Sequence, residues 1–311
     1  MKIYNNLQDF KSEKNSILTL GTFDGVHLGH KVILGKLVKQ ANERNLESLV
    51  LTFFPHPRMV LQKDNDIKLL NTIPEKSELL NKIGIQNLII HPFDNEFSRL
   101  TAEDFVKNIL VDKLHIKKII IGYDHRFGRN RTATIDDLID FGKVYNFEVE
   151  QISAEELNEV TISSTKIRNA LDNGAIELAN QYLGYNYFLS GKVVGGKKIG
   201  RTIGFPTANI EIPEDYKLIP KNGVYIVSSI YKGQKIYGMM NIGYNPTFPD
   251  KNYSLEVNFL DFDQDLYNQT LTISFIKHIR EELKFDSVEE LKKQIKLDKD
   301  FSLAYLKLIN E

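Results

Sequence analysis

Short apolar runs alternate with segments of helical period through the first half of this chain, and no other feature restricts its fold so strongly. "SILTLGTF" (Ser16–Phe23) reads as a buried strand running into a glycine loop, and "HKVILGKLVKQANERN" behind it carries apolar residues at helical spacing. "ESLVLTFF" is a strand ended by "PHP"; "IPEKSELLNKIG" is a helix with Gly84 just past its end, where glycine closes helices. The alternation continues with the strand "IQNLIIHPF", the helix "TAEDFVKNILVDKL" with Thr101 as N-cap, the strand "IKKIIIG", the helix "TIDDLIDFGKVY" and the strand "FEVEQI". Two more helices follow, "SSTKIRNALDNG" and "AIELANQYLG".

Strand–helix alternation with short connections predicts an α/β domain, a Rossmann-like parallel sheet with helices on both faces. Such sheets bind ligands at the carboxyl ends of their strands. Three unusual segments fall there: the glycine loop after "ILTL", "PHP" after "LVLTFF" and "GYDHRFG" at the end of "KIIIG". Near Leu183 the pattern changes. "YFLSGKVVGG", "GVYIVSSIYKGQKIYGMMNIG", "YSLEVNFLDF" and "QTLTISFIKHI" are strand-like runs parted by turn residues, and "SVEELKKQIKLDKDFSLAYLKLIN" closes the chain as a helix. This half predicts a small antiparallel β-barrel with a C-terminal helix packed on it. The two domains are expected over 1–182 and 183–311.

Composition agrees with this division. A chain of 311 residues is long enough for two domains, and 42% hydrophobic with 26% charged residues is ordinary for a globular protein. A net charge of -1 gives no field for a nucleic acid, and there is no basic arm. There are no cysteines, which excludes disulfides, thiolate metal sites and a cysteine nucleophile. The polar opening "MKIYNNLQDFKSEKNS" is not a signal peptide, and no run has the roughly 20 apolar residues of a membrane span. A cytoplasmic location is expected.

The stretch "GTFDGVHLGH" places His27, Gly29 and His30 at the mouth of a helix. Helix N-termini present unpaired N–H groups and partial positive charge, histidines three apart share a helix face, and glycine permits close approach. Imidazole N–H groups donate to phosphate oxygens, more strongly when protonated. The pattern suits a nucleotide phosphate; solvated loop histidines or zinc ligands are the competing readings. "ISSTKIR" is a second anion-binding segment, with Ser163, Ser164 and Thr165 before a helix carrying Arg168. Read alone, it is equally an ordinary serine cap with a surface arginine.

In the second half, "GKVVGGKKIGRTIGFPTANI" is too glycine-rich for a plain strand and lacks the P-loop spacing. Thr207 and Asn209, two apart in an extended segment, face one side and could offer oxygens to Mg²⁺. A glycine hairpin followed by a polar strand fits the same letters.

Taken in order, "GTFDGVHLGH", "FFPHP", "GYDHRFG" and "ISSTKIR" resemble the nucleotidyltransferase half of the bacterial FAD synthetases. The shorter H-x-G-H and S-S/T-x-x-R patterns are shared with cytidylyltransferases; "FDGVHLGH" with the other two segments is far more specific. The resemblance implies FMN adenylyltransferase activity. His27 and His30 would stabilise the ATP phosphates beside Gly21, Phe23 and Gly29. Ser163, Ser164, Thr165 and Arg168 would hold the outer phosphates, Asp124 would position a substrate, and Pro55 and His56 would shape the FMN side. No general base is needed, because a phosphate monoester with a second pKa of about 6 is already a nucleophile near neutral pH. Alignment and charge neutralisation then carry the step.

"GRTIGFPTAN", "NGVY", "MNIGYNPTF" and "LEVNFLDFDQDLY" resemble the riboflavin kinase module. That implies transfer of the ATP γ-phosphate to the riboflavin 5′-hydroxyl, a poor nucleophile that profits from a base. Glu256 falls on the family's glutamate. Gly200, Gly204 and Asn209 would hold ATP, Thr207 and Asn209 would ligate Mg²⁺, and Arg280 and Phe285 would lie at the flavin. Two departures stand out: Gly195 replaces a frequent histidine before the glycine loop, and Asn258 replaces one two residues after the glutamate. The resemblance runs from near Asn15 to near Ile295. It implies a bifunctional enzyme taking riboflavin to FMN and FMN to FAD, with riboflavin, FMN and ATP as its small-molecule partners. A nucleotidyltransferase for another phosphorylated alcohol, or a non-catalytic flavin sensor or delivery protein, would lack one of these groups; none is missing. The H-x-G-H signature also occurs in class I tRNA synthetases, against which the charge distribution speaks.

Overall fold

The computed structural model describes residues 1–12, 14–61, 66–123, 126–129, 132–153, 162–196, 199–244 and 253–310. The chain forms two compact units, Met1–Ser164 and Thr165–Glu311.

The first unit is built on six strands, β1 (Lys2–Tyr4), β2 (Ser16–Leu20), β3 (Glu47–Phe53), β4 (Asn87–His91), β5 (Ile116–Gly122) and β6 (Glu148–Ile152). They form one sheet in the order β1-β4-β3-β2-β5-β6, and every pairing is parallel. The edge strand β1 was not expected, since three residues, Lys2, Ile3 and Tyr4, are too few to carry a periodic signal. Helices α1 (Leu28–Glu43), α2 (Pro57–Leu61), α3 (Ile73–Ile83), α4 (Ala102–Asp104) and α5 (Ile135–Tyr145) connect the strands. The predicted helix after Thr101 departs from regularity: α4 gives way at once to a π-helical stretch, Phe105–Val111.

Side-chain alternation along the strands makes the two faces. Ile17, Val50, Leu88, Ile90 and Ile120 pack against Ile33, Leu34 and Leu37 of α1 and Leu80 of α3. Their neighbours Leu18, Leu49, Leu51, Ile89, Ile119 and Ile121 meet Phe105, Val106 and Leu110 of the π-helical stretch and Leu138 of α5. Each fully buried side chain of this kind is worth about 1.5–3 kcal/mol. Local signals agree with the packing. Thr72 and Glu75 form a reciprocal capping box at the start of α3, and Gly84 closes it at φ 98°. Thr101 Oγ1 accepts from Asp104 N at 3.0 Å, as its N-cap role requires.

Sheet order fixes where a ligand fits. From β2 the chain moves through β3 to β4, then returns to β5 on the other side of β2. The winding direction reverses between β2 and β5, and the crevice beyond the carboxyl ends at such a switch point is where open α/β sheets hold ligands. Gly21 leaves β2 at that point.

The second unit begins with α6 (Ser164–Asp172, whose first residue belongs to the first unit) and α7 (Ile176–Leu183). The sequence pattern changes after these helices, yet residues beyond the first turn of α6 bond to the barrel side. Lys221 N donates to Leu171 O at 3.1 Å, Asn180 Nδ2 to Phe275 O at 3.0 Å, and Tyr187 N to Asn180 Oδ1 at 2.7 Å. Strands β7 (Phe188–Val194), β8 (Ala208–Glu211), β9 (Gly223–Tyr231), β10 (Gln234–Gly243), β11 (Ser254–Phe259) and β12 (Thr270–Arg280) close a barrel in the order β10-β11-β8-β7-β12-β9. All its pairings are antiparallel. A short helix α8 (Ile199–Thr202) lies in the glycine-rich segment, and α9 (Val288–Asn310) packs Ile295, Tyr305 and Leu306 against Ile226, Met239, Ile276 and Ile279.

Candidate active sites

In the first unit the glycine loop ends in a histidine cap. His27 is the N-cap of α1, and its Nδ1 accepts from His30 N at 3.4 Å. A neutral imidazole that accepts at Nδ1 carries its proton on Nε2, so His27 presents an Nε2–H donor. The two imidazoles stack with centroids 3.6 Å apart and planes 17° from parallel, and Phe23 meets the His30 ring edge-on at 5.2 Å. Gly29 makes the stack possible: a Cβ there would press within 3.3 Å of the His27 ring. Gly21 likewise lies against the Phe23 ring.

Burial holds both histidines neutral. His27 is 6% exposed, and its pKa is pushed down to about 4 by burial, with Asp24 opposing. His30 is driven well below the ordinary value by burial, then by the neighbouring His27 and Lys76. His30 Nδ1 is buried and has no hydrogen-bond partner among the described residues. The pair therefore offers neutral N–H donors rather than the protonated imidazoles that phosphate binding would otherwise favour.

The loop is strained and anchored. Phe23 and Val26 adopt φ 45° and 38°, left-handed values that cost an ordinary side chain about 1–3 kcal/mol. Buried Asp24 accepts from Leu70 N at 2.9 Å and Asn71 N at 3.4 Å. The carbonyl of Thr22 accepts from Lys76 Nζ at 2.7 Å and Thr52 Oγ1 at 3.3 Å. Ser164 Oγ, which the sequence assigned to phosphate, donates to Asp24 O at 2.9 Å and ties the start of α6 to the loop. Ser163 precedes it, and Thr165 and Arg168 follow within the first turns of α6. At the carboxyl end of β3 the Phe54–Pro55 peptide is cis, and His56 Nδ1 accepts from Arg58 N at 3.1 Å at the start of α2. Asp124 lies outside the described residues.

The barrel carries a second constellation. On β11 the buried Leu255, Val257 and Phe259 alternate with half-buried Ser254, Glu256 and Asn258. Glu256 pairs with Asn209 of β8 on one side and Asn241 of β10 on the other. Directly opposed residues of antiparallel strands project to the same face, so these three form one polar row. Both carboxylate oxygens of Glu256 are held: Thr207 Oγ1 donates to Oε2 at 3.0 Å and Ser254 Oγ to Oε1 at 3.0 Å. Asn258, the departure from the family pattern, donates Nδ2 to Pro206 O at 2.7 Å and pins the segment that presents Thr207. The glycines are explained by close approach. A Cβ on Gly196 would collide with the Asn209 amide, and one on Gly200 with the Phe205 carbonyl. Gly204 takes φ +87°, whereas Gly195 faces open space. Asn241 and Ser254, which the sequence reading did not single out, lie beside Glu256: Asn241 through cross-strand register, which no single segment contains, and Ser254 two residues away on the same strand.

Among the described residues no group of three His, Asp or Glu side chains could hold a metal ion by itself. Thr207 and Asn209 fit a different role, since a hydroxyl and an amide oxygen beside a carboxylate suit Mg²⁺ that arrives with phosphate and water ligands of its own. Arg280 at the end of β12 is committed to a buried partner: Nε reaches Asp298 Oδ2 at 3.0 Å and Nη2 the same oxygen at 2.8 Å, while Nη1 donates to Glu281 O. Its guanidinium stands 6.0 Å from the Phe285 ring centre.

Comparison with known proteins agrees on both halves. A family profile described as FAD synthetase matches residues 9–166, and one described as Riboflavin kinase matches 183–306. Proteins named bifunctional riboflavin kinase/FMN adenylyltransferase are similar over almost the whole chain. The one from Listeria monocytogenes is 40% identical, covering 94% of this chain and 92% of its own. Those from Bacillus subtilis and Escherichia coli K12 are each 37% identical, covering 95% and 92% of this chain and 94% and 91% of theirs. A crystal structure named as a macrolide-efflux protein from Streptococcus pneumoniae aligns with a TM-score of 0.87 at 32% identity, over 97% of this chain and 98% of that one. Among the described residues here, no helix is long and apolar enough to cross a membrane.

Proposed function

The chain belongs to the bifunctional riboflavin kinase/FMN adenylyltransferase family, and from that premise we propose how its residues divide the work. It phosphorylates riboflavin to FMN with ATP and adenylylates FMN to FAD with release of pyrophosphate. We assign the first reaction to the barrel half, 183–311, the second to the α/β half, 1–182, and both to the cytoplasm, where ATP is at hand.

In the kinase reaction the riboflavin 5′-oxygen attacks the γ-phosphorus of ATP, its proton passes to Glu256, and ADP leaves. Thr207 and Ser254 keep the Glu256 carboxylate in one orientation. Thr207 and Asn209 would hold Mg²⁺, which when bound offsets the charge of the transferring phosphates. Gly200 and Gly204 let the loop backbone close over the nucleotide, and Arg280 with Phe285 borders the flavin.

In the adenylyl transfer an FMN phosphate oxygen attacks the α-phosphorus of ATP and pyrophosphate departs. The His27 and His30 donors, the start of α1, and Ser163, Thr165 and Arg168 of the second anion-binding segment meet the charge that moves onto the leaving group. Pro55, His56 and Asp124 border FMN. The observation that carries this reading is the stacked, neutral histidine pair capping α1 at the reversal of the sheet.

The test is a time course with riboflavin, ATP and Mg²⁺, the flavins separated by chromatography. FMN first and FAD after it is the expected result. FMN alone, persisting when the flavin is supplied reduced under anaerobic conditions, would remove the α/β site; no turnover in folded protein would overturn the reading.

A further inference from the structure

Lys76 is a buried residue at the histidine site whose presence neither the resemblance nor the reaction accounts for. It lies on the first turn of α3, is 3% exposed, and donates one hydrogen bond, Nζ to Thr22 O at 2.7 Å. An ammonium has three donors, and among the described residues this is the one acceptor it meets. Burying a cation so incompletely satisfied is costly, and groups of this kind persist where they serve a site. The surroundings say which one. Burial pushes the Lys76 ammonium below its ordinary value, with Asp24 opposing, and the Lys76 charge in turn helps to lower His30. Thr22, whose carbonyl it holds, lies between Gly21 and the left-handed Phe23. The charged and titratable groups around His30 are thus His27 beside it in α1, Lys76 from α3, and Asp24 from the loop, which acts on His27 and Lys76.

We propose that Lys76 is a positioning residue for adenylyl transfer: its ammonium clamps the Thr22 carbonyl, fixes the strained turn that aims His27 and His30, and sets a positive charge at the base of that turn. This rests on the assignment of that pair to the ATP phosphates. The clamp and the charge act together. The turn fixes the donors before substrate arrives, and a charge in a water-excluded position acts on the pyrophosphate leaving group with less screening than a surface lysine would. Charge, not bulk, is the property required, so a neutral side chain of equal length does not substitute for it.

The absence of cysteine from the chain allows a direct test. Lys76→Cys introduces a single thiol. It is alkylated in urea with either bromoethylamine, which rebuilds a lysine-like ammonium, or bromopropane, which gives a neutral chain of the same length; wild-type protein is treated and refolded alongside. FAD formation from FMN and ATP is then followed from pH 5 to pH 9. The propylated protein is expected to lose about a hundredfold in kcat, with the acid limb of its pH profile moved to higher pH because His30 has lost a neighbouring cation. The aminoethylated protein is expected to recover to within a few-fold and to regain the wild-type limb. Equal rates and equal pH profiles for the two adducts would overturn the proposal, and so would failure of the aminoethyl adduct to recover while refolded wild type is active. His30→Ala in the same assay separates this from the underlying assignment: if it forms FAD at the wild-type rate, the histidine site itself is misassigned.

Discussion

Thr207 Oγ1 donates to Glu256 Oε2 at 3.0 Å, so the residue proposed to face Mg²⁺ and the residue proposed to take the proton are joined by one hydrogen bond. The bond spends the Thr207 proton on the carboxylate and leaves its oxygen lone pairs free to turn outward. Glu256→Gln keeps the shape of the site and removes the proton acceptor. Riboflavin phosphorylation should fall by roughly 10²–10⁴, the usual contribution of a positioned base. FAD formation from supplied FMN should stay at the wild-type rate, because that step belongs to the other half. Loss of both rates in a folded protein would show that the two reactions do not have separate sites.

Much of this architecture can be read along the chain. The period-2 strands and period-3.6 helices give the parallel sheet, and the shift to strands alone after Leu183 gives the barrel. The groups that make the sites work were less visible, for a physical reason in each case. Lys76 looks like a solvated helix lysine in "IPEK"; only tertiary packing over Thr22 buries it. Asp298, eighteen residues from Arg280, reads as one more charge on an amphipathic helix. The widening of the helix at Phe105–Val111 has no letter to announce it. Asn241 joins Glu256 through strand register, which is a property of two segments and of neither alone.

The buried histidine cap should make the first unit acid-sensitive. Burial pushes the His27 pKa in the folded chain down to about 4 from the ordinary 6.5, so between those values the unfolded chain binds a proton that the folded one refuses. Stability is therefore complete above pH 6.5 and is lost as pH falls toward 4, a total of roughly 3 kcal/mol at 1.36 kcal/mol per unit. His27→Asn keeps a good N-cap and removes the titration. In urea titrations of the whole chain, wild type should lose about 2 kcal/mol more than His27→Asn between pH 7 and pH 5. Parallel losses in the two proteins would place the sensitivity elsewhere.

Two adjacent glycines should respond in opposite ways. Gly196 lies against the Asn209 amide, and Gly195 faces open space. Gly196→Ala forces Asn209 out of the polar row with Glu256, and kinase turnover should fall at least tenfold, with a higher Mg²⁺ requirement. Gly195→His meets no neighbouring atom at its Cβ and should change stability by no more than about 0.5 kcal/mol. Mg²⁺ titrations of riboflavin phosphorylation read the first effect, and urea midpoints the second.

The Arg280–Asp298 pair ties β12 to α9 by charged hydrogen bonds. Asp298 is 4% exposed, receives both Nε and Nη2 of the arginine, and is also bonded by Gln294 Nε2 at 2.9 Å. Replacing a buried pair by apolar residues is often neutral, but removing one partner leaves a charge without compensation and costs about 3–5 kcal/mol. Asp298→Ala should destabilise the barrel unit by roughly 3 kcal/mol in urea unfolding followed by circular dichroism. It also releases the guanidinium that stands over Phe285, so the KM for riboflavin should rise more than kcat falls. If stability drops while the riboflavin KM is unchanged, Arg280 serves the helix alone, and the flavin is recognised by other side chains.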